Sequence, residues 1–190
     1  MLLYMVRHGE SEANHAGSHA GWGQVPLTQK GIEQARQVGE KIGHIAFDKV
    51  YSSDLRRSVQ TCETALPGRD YELSALLREI SVGRLSCKRF EDCRAEYGKA
   101  YDDSLEHQDF TPYGGENHAM LVGRVKEFLS QLEQLDAEIV AVFAHEGTLR
   151  TTFELTLQTP RLSRRVLCRN CCIGVFEFND GLWRLNAWNI

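Results

Sequence analysis

The sequence predicts an α/β fold, three layers (α/β/α) around a mostly parallel sheet whose antiparallel edge comes from a C-terminal hairpin. Three observations predict it. Short apolar runs alternate with segments of helical period, the order that builds a parallel sheet covered on both faces. Ile139–Ala144 (IVAVFA) is apolar at every position, as a central strand must be when neither face meets water. Residues 174–178 and 182–188 flank Asn179-Asp180-Gly181, and Asp-Gly is a strong hairpin signal.

The elements follow in order. Residues 2–6 form a first strand that runs into Arg7-His8-Gly9. Residues 13–24 are rich in Gly, His and Ser and read as a loop. Thr28 caps a helix to about Ile45, with Ile32, Ala35, Val38 and Ile42 at helical spacing. A short strand over 47–51 leads to a helix over about 55–65, stopped by Pro67-Gly68. Residues 85 to about 113 mix charges with Phe90, Tyr97, Tyr101, Phe110 and Tyr113. They read as a small, less regular, lid-like insertion in a single domain. A long helix over about 117–135 precedes the central strand. Gly147 opens a further helix to about Leu157, with Pro160 just beyond it.

A chain of 190 residues suits one globular domain, and 42% hydrophobic with 25% charged residues is ordinary for a protein with a real core. The net charge of −4 argues against nucleic acid or an anionic membrane surface as partner. A local arginine cluster can still handle phosphate in an acidic protein. No apolar run approaches the ~20 residues of a membrane span. The stretch over 2–6 is followed by arginine and has no small-residue cleavage site, so it is not read as a signal peptide. A cytoplasmic protein, monomer or homodimer, is expected. Its six cysteines are then reduced and read as small core residues. Cys168 and Cys171 have a zinc-like spacing, but no second pair completes a tetrahedral set, so no metal is expected.

In such sheets ligands bind where strands end and helices begin. Two strands finish in histidines, Arg7-His8-Gly9 and Ala144-His145-Glu146-Gly147, each with glycine close behind. Arg7 adjoins the first, and Arg57 begins the helix after the second strand. A guanidinium offers a planar fork of donors that matches phosphate oxygens. Arg56 reads as a solvated neighbour.

These blocks resemble the histidine phosphatase (phosphoglycerate mutase-like) superfamily. Arg7-His8-Gly9-Glu10-Ser11 with Asn14 is similar to its RHG-x-S-x-x-N signature. Trp22 with Pro26-Leu27-Thr28 and Gly31 resembles the next block. Ser52-Ser53-Asp54-Leu55-Arg56-Arg57 with Gln60-Thr61 resembles its phosphate-binding helix start. Leu77-Arg78-Glu79 with Gly83, then Gly114-Gly115-Glu116, then Ala144-His145-Glu146-Gly147 complete an ordered set over nearly the whole chain.

The resemblance implies a metal-independent phosphatase of a small phosphate ester that needs no cofactor. His8 is the implied nucleophile, and Arg7, Arg57 and His145 neutralise the phosphoryl oxygens. Glu79 protonates the leaving oxygen and then takes a proton from water. Asn14, Ser11, Trp22, Glu146 and Gly147 are expected to contact substrate. The sequence departs from the family pattern at Ser58, at Glu146, where a small residue is usual, and at Leu85-Ser86-Cys87.

Two alternatives remain open at this point. One is a cofactor-dependent phosphoglycerate mutase, the other a catalytically silent binding protein. Between Lys88 and Asp109 there are four basic and seven acidic residues, which disfavours a multiply anionic substrate. Arg161, Arg164, Arg165 and Arg169 read as an exposed connector, with recognition of a second anionic group as the alternative.

Overall fold

The structure, a computed structural model, describes residues 1–159 and 166–190. Pro160, Arg161, Arg164 and Arg165 lie outside the described residues. Among the described residues six strands make one sheet in the order β3-β2-β4-β1-β5-β6. They are β1 (Leu2–Arg7), β2 (Lys49–Ser52), β3 (Glu72–Leu73), β4 (Ile139–Ala144), β5 (Ile173–Asn179) and β6 (Leu182–Trp188). β1, β2, β3 and β4 are mutually parallel where they pair; β5 and β6 run antiparallel. The predicted class and its hairpin edge are both found.

Strand alternation divides the core. Leu3, Met5, Val140, Val142 and Ala144 face one way. They pack on α6 (His118–Leu132) through Leu121, Val125 and Phe128, and on α7 (Glu146–Leu157) through Leu149 and Phe153. Val6, Val50, Ala141 and Phe143 face the other way. They meet Val38 and Ile42 of α2 (Gln29–Ile42) and Cys62 and Ala65 of α3 (Arg56–Ala65). Burying such side chains contributes roughly 1.5–3 kcal/mol each, so two helical layers on one sheet account for most of the hydrophobic stabilisation.

Several boundaries shift by one to three residues. The α2 helix stops at Ile42 because Gly43 follows it, and Phe47 is buried just ahead of β2 instead of within it. The supposed loop over 13–24 begins with a four-residue helix, α1 (Glu12–His15). The Ser11 hydroxyl accepts from the Asn14 N–H, and the Asn14 side chain accepts from the Ser11 N–H. A segment this short carries no period to read.

The 85–113 region is also more regular than expected. It holds α4 (Phe90–Tyr97) and α5 (Lys99–His107), broken at Gly98, whose φ of +54° suits glycine. Their apolar residues are too few to show a stripe. Val82, Leu85, Cys93, Tyr101, Phe110 and Tyr113 form a separate small core beneath them. Four cysteines are buried as expected and Cys171 is half-buried, but Cys87 is exposed. Among the described residues no helix is long and apolar enough to cross a membrane.

Candidate active site

The pairing of β2, β4 and β1 aligns three strand ends. His8 N–H donates to the Ala144 carbonyl at 3.0 Å, and Ser53 N–H donates to the Phe143 carbonyl at 2.9 Å. Arg7-His8, Ser53 and His145 therefore leave the sheet at one level. The turn after β1 lies against α2 so closely that a Cβ on Gly9 would sit 2.4 Å from the Gly31 carbonyl oxygen.

His8 is buried, and its Nδ1 lies 2.7 Å from the Gly9 carbonyl oxygen. A carbonyl only accepts, so Nδ1 carries the proton and Nε2 keeps its lone pair. The Arg57 Nε donates to that Nε2 at 3.3 Å. Burial, then the charges of Arg57 and Arg7, hold His8 well below the usual histidine range, so the ring is neutral. His145 is also fully buried, its ring centroid 5.2 Å from that of His8. Its Nε2 lies 2.8 Å from the Ser53 hydroxyl, and its Nδ1 is buried without a partner among the described residues. Burial and Arg57 depress it as well.

Arg57 is fully buried, while Arg56 beside it is exposed, as the sequence suggested. Its guanidinium donates to the carbonyls of Gly21 (2.9 Å) and Gly23 (3.1 Å). Burial pushes it down to about 10, so it stays charged at neutral pH. Arg7 donates to the Cys168 carbonyl and pairs with Glu146 at 2.9 Å, while its buried Nε has no partner among the described residues. Unspent donors of this kind suit an anion with several oxygens.

Glu79 enters from the segment between β3 and α4. One carboxylate oxygen accepts from its neighbour Ile80 N–H at 2.9 Å, the other from Gly147 N–H at 3.1 Å at the start of α7. Arg124 fixes the segment by donating to the carbonyls of Leu76, Arg78 and Glu79, and is itself paired with Glu116. A cavity of about 360 Å³ opens here, and Arg7, His8, Asn14, Arg57, Glu79, Glu146 and Gly147 line it.

Three expected site residues, Ser11, Trp22 and His145, are not among those that line the cavity. Ser11 is fully buried and not on the cavity wall; its hydroxyl caps α1. Trp22 is not on the wall either. Its indole N–H donates to the Glu79 carbonyl at 2.8 Å, under the Arg78 guanidinium, so it braces the Glu79 segment. Asn14 does reach the cavity, but its side-chain oxygen is taken by Ser11 and Asn170. Its amide N–H groups are what it can offer an anion.

Arg150 and His19 line the cavity unannounced by the sequence, beside Phe90 and Phe110 of the insertion. The Glu146–Arg150 spacing of four was a legible hint, since such residues meet on a helix. The Arg150 pair with Glu146 is 2.7 Å long. His19 lies edge-on to Phe90, Tyr101 and Phe110 and shares a 2.7 Å hydrogen bond with the Tyr101 hydroxyl. Nothing in the spacing of the 13–24 segment pointed to that.

Fold and site define a class, a phosphatase whose imidazole and guanidinium groups gather where an α/β sheet binds its ligands. Comparison gives the family. The chain belongs to the histidine phosphatase superfamily (branch 1), whose family pattern matches residues 3–190. It is 34% identical to an adenosylcobalamin/alpha-ribazole phosphatase of Salmonella typhimurium, over 96% of this chain and 88% of that one. It is 32% identical to a probable phosphoglycerate mutase of Salmonella paratyphi A, over 99% and 90%. A crystal structure of a putative alpha-ribazole-5'-P phosphatase from Escherichia coli superimposes with a TM-score of 0.91 at 26% identity. That match covers 100% of this chain and 97% of the other.

Proposed function

We propose that the chain hydrolyses a small phosphate monoester through a phosphohistidine on His8, without a metal ion. The observation that carries this is the His8 ring: Nδ1–H on a carbonyl, Nε2 unprotonated, beside a buried guanidinium. Nε2 attacks phosphorus and the bond to the ester oxygen breaks. Glu79, in its acid form, gives that oxygen a proton and the alcohol departs. Water then attacks the phosphorus, surrenders a proton to the Glu79 carboxylate, and the P–N bond breaks to release orthophosphate. Arg7, Arg57 and His145 stabilise charge on the three equatorial oxygens, the main task in phosphoryl transfer. Guanidinium groups supply the positive charge for which other phosphatases recruit a metal.

The alcohol side of the cavity has His19, Phe90 and Phe110 on its wall, which suits a ring-bearing leaving group. Together with the 34% relative, this favours a ribazole-type phosphate as substrate. The segment over about 85–113 serves as the lid over that side. The mutase reading has the 32% relative in its favour; it requires a bisphosphate primer, and the phosphatase does not.

The test is hydrolysis of p-nitrophenyl phosphate in chelator, with wild type and His8→Ala. Wild type is expected to turn over and His8→Ala to lose at least about 10³-fold. Quenched wild type should carry an acid-labile phosphoryl group on nitrogen. Turnover that survives in His8→Ala, or that stops in chelator, refutes the proposal.

A further inference from the structure

Among the described residues five ionisable side chains of Arg and Glu line the cavity: the bases Arg7, Arg57 and Arg150 and the acids Glu79 and Glu146. Glu146 spends one carboxylate oxygen on Arg7 (2.9 Å) and the other on Arg150 (2.7 Å). It is the first residue of α7, where the helix N-terminus favours a carboxylate. Arg150 is 22% exposed at its side chain, and its buried Nε has no partner among the described residues. Two guanidiniums that could otherwise grip a second anionic group on the substrate are thus bridged by one fixed negative charge.

We infer that Glu146 is a charge filter: it rejects phosphate esters with a second anionic group near the phosphoryl and admits those whose alcohol part is neutral. This rests on the phosphatase reading and deepens it. With Glu146 ionised and Glu79 carrying the proton that it gives to the leaving oxygen, the wall has a surplus of two positive charges, which a phosphoryl dianion already matches. A carboxylate or second phosphate on the same ligand must either approach Glu146 or displace it from both arginines. Like charges so placed repel, and Glu146, 34% exposed at its side chain, is only partly screened by water. A hydroxyl in the same place pays neither cost, and the Glu146 oxygens can accept from it.

The experiment uses two near-isosteric ligands, glycerol 3-phosphate and 3-phosphoglycerate, which differ by a hydroxymethyl against a carboxylate. Each is titrated as a competitive inhibitor of p-nitrophenyl phosphate hydrolysis, so neither has to be a good substrate. Wild type is expected to bind glycerol 3-phosphate at least about tenfold more tightly. Glu146→Gln should shrink that ratio by about tenfold, through tighter binding of 3-phosphoglycerate, while Glu146→Asp retains most of it. Should Glu146→Gln fold poorly, Glu146→Ala makes the same test. A purely structural link to Arg7 predicts that both ligands weaken together with the ratio unchanged, and that result overturns the inference. So does a wild-type ratio at or below one, or failure of both ligands to compete. Absence of p-nitrophenyl phosphate turnover in wild type is a different result, a failure of the phosphatase reading itself.

Discussion

Gly147 has no room for a side chain. A Cβ there would sit 2.1 Å from a Glu79 carboxylate oxygen and 3.2 Å from Leu121 Cδ2, while the Gly147 N–H holds the other oxygen. Gly147→Ala is therefore expected to swing the Glu79 carboxyl out of place. Turnover of an alkyl phosphate, whose leaving oxygen needs a proton, should fall at least about tenfold. Turnover of p-nitrophenyl phosphate, whose leaving group departs as an anion, should fall less, and Glu79→Gln should show the same pattern. Steady-state rates on the two esters check this; equal losses would remove the proton-donor role. At this scale the sequence was readable where backbone position fixes a side chain. Strand ends placed Arg7, His8 and His145, and the family block picked Arg57 over Arg56. It was less readable where side-chain direction decides: Ser11 caps α1 and Trp22 braces the Glu79 segment, roles that no spacing announces.

The first turn of α2 and the turn after β1 touch backbone to backbone. A Cβ on Gly31 would lie 2.1 Å from the Glu10 carbonyl oxygen, and the Thr28 cap accepts from the Gly31 N–H at 3.0 Å. Neither side can yield by a rotamer change. Gly31→Ala is expected to destabilise the fold by roughly 1–3 kcal/mol and to lower activity by moving the His8 turn. Urea unfolding with a parallel rate measurement checks both. Elements with a strong period or continuous apolarity, α2 and β4 above all, could be read in advance. The short α1, the two-residue β3 and the charged α4–α5 pair could not, because tertiary contacts and caps specify them more than any stripe does.

Across the whole molecule, three histidines are buried and neutral. His8 and His145 are held well below the ordinary value by burial and nearby arginines, and burial lowers His19 to about 4. The unfolded chain binds protons on these rings from about pH 6.5 downward while the folded chain refuses them. Stability is thus complete above about pH 6.5 and declines as pH falls, for His19 down to about 4. The loss is up to about 1.4 kcal/mol per pH unit for each ring. Thermal unfolding at pH 7.5 and pH 5 should show a clear drop, smaller in His19→Gln. Arg57 carries the opposite lesson. Its charge is sealed among two carbonyl oxygens and an imidazole, none of which carries a negative charge of its own. A tetrahedral oxyanion such as orthophosphate is therefore expected to stabilise the fold, by about 2.7 kcal/mol at a hundred times its dissociation constant. The product of one cycle should then compete with the substrate of the next, so that added orthophosphate raises the melting temperature and lowers the rate.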